Sequence, residues 1–242
     1  MFPLVHIYTA TKVSGKKTPL LVLGSVLPDM VWIDRKTFAP EKLHDDIDDF
    51  YSYLESNNKD MLDLALGMKL HSNKIGADKY SHFYKGGYAY IKGKKLIPDL
   101  VKLVGQGENK KIADLSHNFI EAALDLNLTK NEPEYLKLYA DSLNKVEFNE
   151  IAKVVSEYSK VDYETVFKTI QILFGVVSPK NIATDKLISS EVLPKFIKLS
   201  FGKEVDDKEI LRILKKAVEL TKLEYEKFID EMISEMKKDF KT

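Results

Sequence analysis

The chain has 242 residues, 44% of them hydrophobic and 31% charged, and its 37 basic and 37 acidic residues leave no net charge. This length can bury a substantial core as one large domain or two small ones, and the balanced charge gives no support to binding of nucleic acid or an anionic membrane. The absence of cysteine excludes disulfides, thiolate ligands and a cysteine nucleophile, so any metal ion must be held by nitrogen and oxygen.

The first residues do not combine a basic segment with a long apolar run, which predicts that there is no signal peptide. The apolar run at 20–26 is too short to span a bilayer. We therefore expect no transmembrane segment and a cytoplasmic location.

Apolar residues recur at helical spacing along almost the whole chain, which predicts an all-α, multi-helix bundle. The segment 60–84 follows this spacing throughout and is predicted to be helical. The apolar segment at 19–26 fits a strand or a buried helix equally well. Asp114, Asp162 and Asp206 precede amphipathic runs and are predicted helix N-caps.

The histidines divide the chain into two parts, because all of them lie before residue 118. Histidine is the commonest protein metal ligand and is suited to proton transfer near neutral pH. A break at 130–133 follows shortly after the last histidine. We therefore expect a metal-binding helical core at 1–130 and a helical C-terminal extension at 131–242, packed on the same core.

The strongest metal-ligand pattern is formed by His71, Asp78 and His82. Steps of seven and four residues are close to whole helical turns, so on one helix these side chains share a stripe roughly 40° wide. Two imidazoles and a carboxylate on one face can converge on one or two cations. The alternative is that both histidines are surface residues. Gly76, inside the stripe, either loosens the helix or admits another segment or a ligand.

A second pattern is the pair His117 and Glu121, which are one helical turn apart and can chelate one ion from a single helix face. A simple surface contact between the two is the alternative. Asp125 follows one turn later and could support a ligand from behind. We expect instead that its side chain is solvated.

Three further candidates are less distinctive by themselves. Asp29 follows an apolar run and a proline, so it presents an acid at the end of a buried element, although an ordinary turn would look the same. His44 lies among acidic residues that resemble a solvated helix face. His6 lies near the start of the first element.

Taken in order, these residues resemble the zinc-dependent phospholipase C family, to which the single-strand-specific zinc nucleases are related. The resemblance covers roughly residues 1–130. Its motifs are His6, Pro28-Asp29, His44, Leu66-Gly67-x-x-x-His71, Gly76-Ala77-Asp78, His82 and His117-x-x-x-Glu121. It implies an all-helical fold of the phospholipase C and nuclease type, with two or three zinc ions.

The resemblance also implies a role for each residue. One zinc ion would be held by Asp29, His44 and His71, the next by His6 and a bridging Asp78, and the third by His82, His117 and Glu121. Asp29 would in addition be the general base. The chain departs from the family in two ways. In secreted members the amino group of the mature N-terminus is also a zinc ligand, whereas here Met1 is only five residues before His6. The spacing from His71 to Asp78 is seven, where the secreted enzymes have four.

The expected function is hydrolysis of a phosphate ester, either a small molecule or a phospholipid headgroup, by a zinc-activated water. The chain has only two arginines, Arg35 and Arg212, which disfavours phosphate binding by paired guanidinium groups. Metal ions or lysine would then hold the phosphate.

Two other functions stay open. The doublet His44-Asp45 is also the core signature of the His-Asp metal phosphohydrolases, and iron or manganese would favour that class. Alternatively, the chain is a non-catalytic helical binding or structural module with a residual metal site. The aromatic stretch at 82–91 could line a pocket or touch a membrane, but we expect that Phe83, Tyr84, Tyr88 and Tyr90 partly pack in the core.

Overall fold

The computed structural model describes residues 3–106 and 109–241, and within these ranges it contains helices and no strand, which confirms the all-α prediction. The helices of the first part are α1 Pro3–Ser14, α2 Pro19–Gly24, α3 Met30–Ile33, α4 Asp48–Asn57, α5 Leu62–His71, α6 Tyr88–Gly93, α7 Ile97–Val104 and α8 Asn109–Asn131. The helices of the second part are α9 Glu134–Leu143, α10 Phe148–Ser159, α11 Tyr163–Val176, α12 Pro179–Ile182, α13 Asp185–Leu187, α14 Leu193–Phe201, α15 Asp207–Thr221 and α16 Tyr225–Lys241. Met1 lies outside the described residues.

Two of the three predicted N-caps are confirmed. Asp162 accepts a hydrogen bond from the backbone N–H of Thr165, and Asp206 accepts one from that of Lys208. The prediction for Asp114 is wrong, because α8 begins five residues earlier and Asp114 lies inside it. The ambiguous segment at 19–26 is helical as α2.

The prediction of a continuous helix over 60–84 is also wrong. Helix α5 ends at His71, and the backbone of Ser72 is extended, with φ −54° and ψ 161°. A turn follows, and the chain becomes helical again at residue 77 and continues in the π-helical turn Lys79–Phe83. A Cβ at Gly76 would lie 2.3 Å from the backbone of both His71 and Ser72. The lack of a side chain at Gly76 therefore lets the turn fold back tightly on the end of α5.

Helices α2 and α5 approach each other closely at two glycines. A Cβ at Gly24 would lie 2.1 Å from the carbonyl oxygen of Leu64, and one at Gly67 would lie 2.3 Å from that of Leu21. Real side chains do not reach these distances, so the two backbones pack together only because both residues are glycine. This contact places the start of the turn after α2 beside the C-terminal end of α5.

The buried hydrophobic residues form one core that includes residues from both parts of the chain. Helix α9 packs on α2, α15 packs on α8, and α16 packs on α1. Helices α15 and α16 therefore cover α8 and α1, which carry candidate ligands. No helix within the described ranges combines the length and apolar character needed to cross a membrane.

Candidate metal centre

The eight candidate ligands come together in the interior of the bundle. They form three groups in which the ligand atoms lie within 4.8 Å of one another: His6, His71 and Asp78; Asp29, His44 and His71; and His82, His117 and Glu121. Helices α1, α5 and α8 supply four of these residues, and the turns after α2, before α4 and after α5 supply the other four. The ligand side chains are buried, and that of His82 is the most exposed at 15%.

Asp78 lies at the centre and links the groups. Its Oδ2 is 3.2 Å from Nε2 of His44 and 3.4 Å from Nε2 of His71. Its Oδ1 is 3.5 Å from Nε2 of His6 and 3.6 Å from Nε2 of His82. Burial by itself would raise the pKa of Asp78, but the surrounding imidazoles, led by His82 and His71, hold that pKa well below its usual range. Asp78 is therefore an ionised carboxylate enclosed by four imidazole rings.

The ring of His71 is oriented by the backbone of the turn after α2. Its Nδ1 lies 2.8 Å from the carbonyl oxygen of Ser25, and both groups are buried. Because a carbonyl can only accept, Nδ1 carries a hydrogen, which leaves Nε2 as the nitrogen available to a metal ion. This arrangement is typical of metal-binding histidines, whose second nitrogen donates to a carbonyl or a carboxylate.

The ring of His44, in the π-helical turn Glu41–Asp45, is oriented by a carboxylate. Its Nδ1 lies 3.0 Å from Oδ1 of Asp45, and Asn73 donates to the same oxygen at 2.6 Å. The Nε2 of His44 therefore faces the cluster. Burial lowers the pKa of His44, but the carboxylates of Asp45, beside Nδ1, and Asp78, 3.2 Å from Nε2, outweigh it and raise the pKa to about 9.

Asp45 was missed as a supporting residue, because the acids around His44 were interpreted as a solvated face. Its neighbours Asp46 and Asp48 fit that interpretation, since both bind Lys74 at the surface. The signal that could have identified Asp45 is its position directly after His44.

The third group is built around Glu121. Its Oε1 lies 2.7 Å from Nε2 of His117 and 3.2 Å from Nε2 of His82, and it accepts a hydrogen bond from the Ser81 hydroxyl at 2.8 Å. Burial would raise the pKa of Glu121, but His117 and His82 hold it well below its usual range. Glu121 is therefore also an ionised carboxylate between two imidazoles.

Tyr90 holds the ring of His117 from the other side. The two rings stack with centroids 5.0 Å apart and an interplanar angle of 15°. The Tyr90 hydroxyl donates to Asp114 at 2.9 Å, which fixes the aromatic ring. Asp114 thus supports a candidate ligand through Tyr90 instead of capping a helix.

Several buried polar atoms of the cluster have no hydrogen-bond partner among the described residues. They are His6 Nδ1, His44 Nε2, His71 Nε2 and Asp78 Oδ1. A buried polar atom without a partner costs about 1–3 kcal/mol, so four in one place would be a large penalty for the folded state. Cations would satisfy the imidazole lone pairs and the carboxylates together. The donor set of nitrogen and oxygen atoms fits zinc, and also iron or manganese.

The expectation that Asp125 is solvated is wrong. Its side chain is 0% exposed, and its two oxygens accept hydrogen bonds from the backbone N–H groups of Leu4 and Val5 in α1. The sequence signal was its position one helical turn after Glu121, on the buried face of α8.

A cavity beside the cluster has two wall residues that the sequence did not indicate. Phe228 and Met232, both on α16, line it together with apolar side chains of α1 and α8. The remaining wall includes the candidate ligands His6 and Glu121 and the Ser81 hydroxyl. The enclosed space has room for about one water molecule. Residues far beyond position 130 therefore border the candidate site.

The aromatic stretch at 82–91 is divided between surface and interior. Tyr88 stacks on Phe228 with centroids 4.0 Å apart, and Tyr90 stacks on His117. The expectation of partial packing is wrong for Phe83, which is 62% exposed beside His82. The side chain of Tyr84 lies outside the described residues.

No protein family, curated protein or solved structure matches this chain. The resemblance to the zinc-dependent phospholipases C therefore stays a prediction that depends on the order and spacing of the motifs.

Proposed function

We propose that this protein is a metal-dependent hydrolase of phosphate esters that uses two or three zinc ions. The observation that carries the proposal is the convergence on Asp78 of four imidazole rings, with three adjoining groups of ligand atoms. A single structural ion would need only four ligands, whereas eight buried ligand residues suit a cluster of ions. The substrate class is a small phosphate ester or a phospholipid headgroup, and the location is the cytoplasm.

Each group of residues would hold one ion. Asp29, His44 and His71 would bind the first ion, and His6 with Asp78 the second, with Asp78 shared between them. The third would be bound by His82, His117 and Glu121. Zinc bound in this way would lower the pKa of a water molecule toward neutrality and neutralise charge on phosphoryl oxygens.

The chain itself supplies the base and the access route. Asp29 is buried, with Oδ1 4.0 Å from Nε2 of His44, and we propose that its carboxylate accepts a proton from the attacking water. The exposed edge of His82, flanked by Phe83, provides the side from which a phosphate ester would approach. Burial of the remaining ligands excludes bulk water, which strengthens electrostatic interactions inside the site.

The His-Asp phosphohydrolase alternative is less well supported. A His-Asp doublet alone would leave the pairing of His71 with Asp78 and of His117 with Glu121 partly unexplained. Here Asp45 lies on the Nδ1 side of His44, away from the cluster, and belongs to none of the three ligand groups found among the described residues. Its role is therefore orientation of the ring.

The decisive experiment begins with metal content. Protein purified without chelator is expected to contain two to three equivalents of zinc by mass spectrometry, and His71→Ala is expected to lose at least one. Zinc-loaded protein should hydrolyse bis-p-nitrophenyl phosphate, and Asp29→Asn, assayed in saturating zinc, should lose most of this activity. Less than one equivalent in the wild type, with no loss in His71→Ala, would reject the proposal. A metal-loaded but inactive protein would favour the structural alternative.

A further inference from the structure

We infer that Asp125 is a positioning residue for the proposed metal centre. It holds helix α1, which carries His6, in register against helix α8, which carries His117 and Glu121. This inference rests on the proposed function, because it assigns Asp125 a part in assembling that same site.

The contact is a two-point clamp on the start of a helix. Oδ2 of Asp125 lies 2.9 Å from the N–H of Leu4, and Oδ1 lies 2.8 Å from that of Val5. N–H groups in the first turn of a helix have no acceptor within their own helix. The buried side chain of Asp125 satisfies two of them, one with each of its oxygens.

The clamp is close to candidate ligands on both helices. His6 directly follows Val5, and Asp125 lies one turn, or about 6 Å, along α8 from Glu121. The ring of His6 stacks on His71 with centroids 4.0 Å apart, and its Nε2 is 3.5 Å from Asp78. A small shift of α1 would therefore separate His6 from both of these neighbours. His6 is the candidate ligand that α1 supplies, so a displacement of α1 affects the position of His6 directly.

A purely structural role predicts a different outcome, and the chain offers a matched control. Asn127 lies on the same helix, is buried, and donates a hydrogen bond to the Thr221 hydroxyl of α15 at 2.9 Å. Its loss also removes a buried contact between helices, but α15 carries none of the candidate ligands. Asn127→Ala therefore reports the effect of weakened packing alone.

The test compares metal binding by full-length wild type, Asp125→Asn and Asn127→Ala after chelation and dialysis. An asparagine at 125 keeps one acceptor oxygen but turns an amide donor toward the other N–H. We expect Asp125→Asn to bind one zinc ion at least about tenfold more weakly, as is usual when support of a ligand is lost, and to retain the others. Asn127→Ala should bind all ions with wild-type affinity. Calorimetry gives the affinities, and the visible spectrum of the cobalt-substituted protein shows which site has changed.

A second comparison distinguishes the loss of one ion from a general destabilisation of the fold. His6→Ala should lose the same ion, and the double variant with Asp125→Asn should show no further loss, because both changes act on one site. Wild-type affinity in Asp125→Asn, or an equal loss in Asn127→Ala, would overturn the inference and leave the proposed function intact. A wild type that binds no metal would overturn both. Amide hydrogen exchange of α1, expected to be faster only in Asp125→Asn, then shows whether the clamp itself exists.

Discussion

The Nδ1–H of His71 donates a hydrogen bond to the carbonyl oxygen of Ser25 at 2.8 Å, across 46 residues of sequence. The contact exists because α2 and α5 approach each other at Gly24 and Gly67. It places a hydrogen on Nδ1 of His71 and leaves Nε2, 3.4 Å from Oδ2 of Asp78, as the nitrogen available to a metal ion. A packing feature of two helices thereby decides the chemistry of a candidate ligand.

Gly67→Ala tests this link. The new Cβ would lie 2.3 Å from the carbonyl oxygen of Leu21 and 2.7 Å from the backbone nitrogen of Ser25, so α2 and α5 must separate. We expect a loss in the free energy of unfolding of about 1–3 kcal/mol or more, together with weaker zinc binding. Urea denaturation and calorimetry measure the two effects.

Gly175→Ala is the matched control, since a Cβ at this exposed position of α11 meets no atom within 4 Å. It should stabilise the protein by about 0.5–1 kcal/mol and leave zinc binding unchanged. If Gly67→Ala were as stable as Gly175→Ala, the close approach of α2 and α5 would be wrong.

Asp45→Asn tests the orientation of His44. An asparagine can still contact Nδ1, but it removes the negative charge that makes Nε2 a stronger ligand. We expect zinc to bind about 10–100-fold more weakly. Asp46→Asn changes the next residue, which binds Lys74 at the surface, and should have no such effect. Calorimetric titration measures the affinity of both variants for zinc. Equal affinities would show that Asp45 does not support the metal site.

The stability of the metal-free protein should depend on pH through Asp125. Burial raises the pKa of Asp125 to about 7, whereas the unfolded value is about 3.9. Between these values the folded state binds more protons than the unfolded state, so this residue makes stability fall as pH rises from about 4 to about 7.

Urea denaturation in the presence of chelator, from pH 4 to pH 8, measures this dependence against Asp125→Asn, which cannot titrate at this position. The stability of the wild type relative to the variant should decrease across the window and stay constant above it. A difference that grows with pH would contradict the assignment.

Phe228→Ala and Met232→Ala test whether α16 limits the space beside the cluster. Both side chains line the cavity that also contains His6 and Glu121, and their removal enlarges it. If the proposed function holds, kcat/KM for a bulky diester should rise relative to that for a small one, by about tenfold. Phe240→Ala, on the same helix but partly exposed and not part of the cavity wall, should leave the ratio unchanged. An unchanged ratio in all three variants would place substrate on another side of the cluster.

The sequence was sufficient to predict the helical class, because the spacing of apolar residues is a local property that can be recognised without knowledge of the packing. It also identified the eight polar residues that the structure brings together, through helical spacing for His117 and Glu121 and through family resemblance for Asp29 and His44. The predicted helix over His71, Asp78 and His82 was wrong. The three residues still meet, because a tight turn at Gly76 brings them together in place of a shared helix face.

What only the tertiary structure decided is the surroundings of these residues. The positions of Asp45 after His44 and of Asp125 one turn after Glu121 did not show their roles, since a carboxylate in a helix is usually solvated, and Phe228 looked like an ordinary core aromatic residue. Their roles arise from contacts between segments far apart in the chain: Asp45 with Asn73, Asp125 with the start of α1, and Phe228 with Tyr88. The physical reason is that residue type and spacing determine which side chains are able to bind a metal ion. The burial and hydrogen bonds that orient those side chains depend on how distant helices pack.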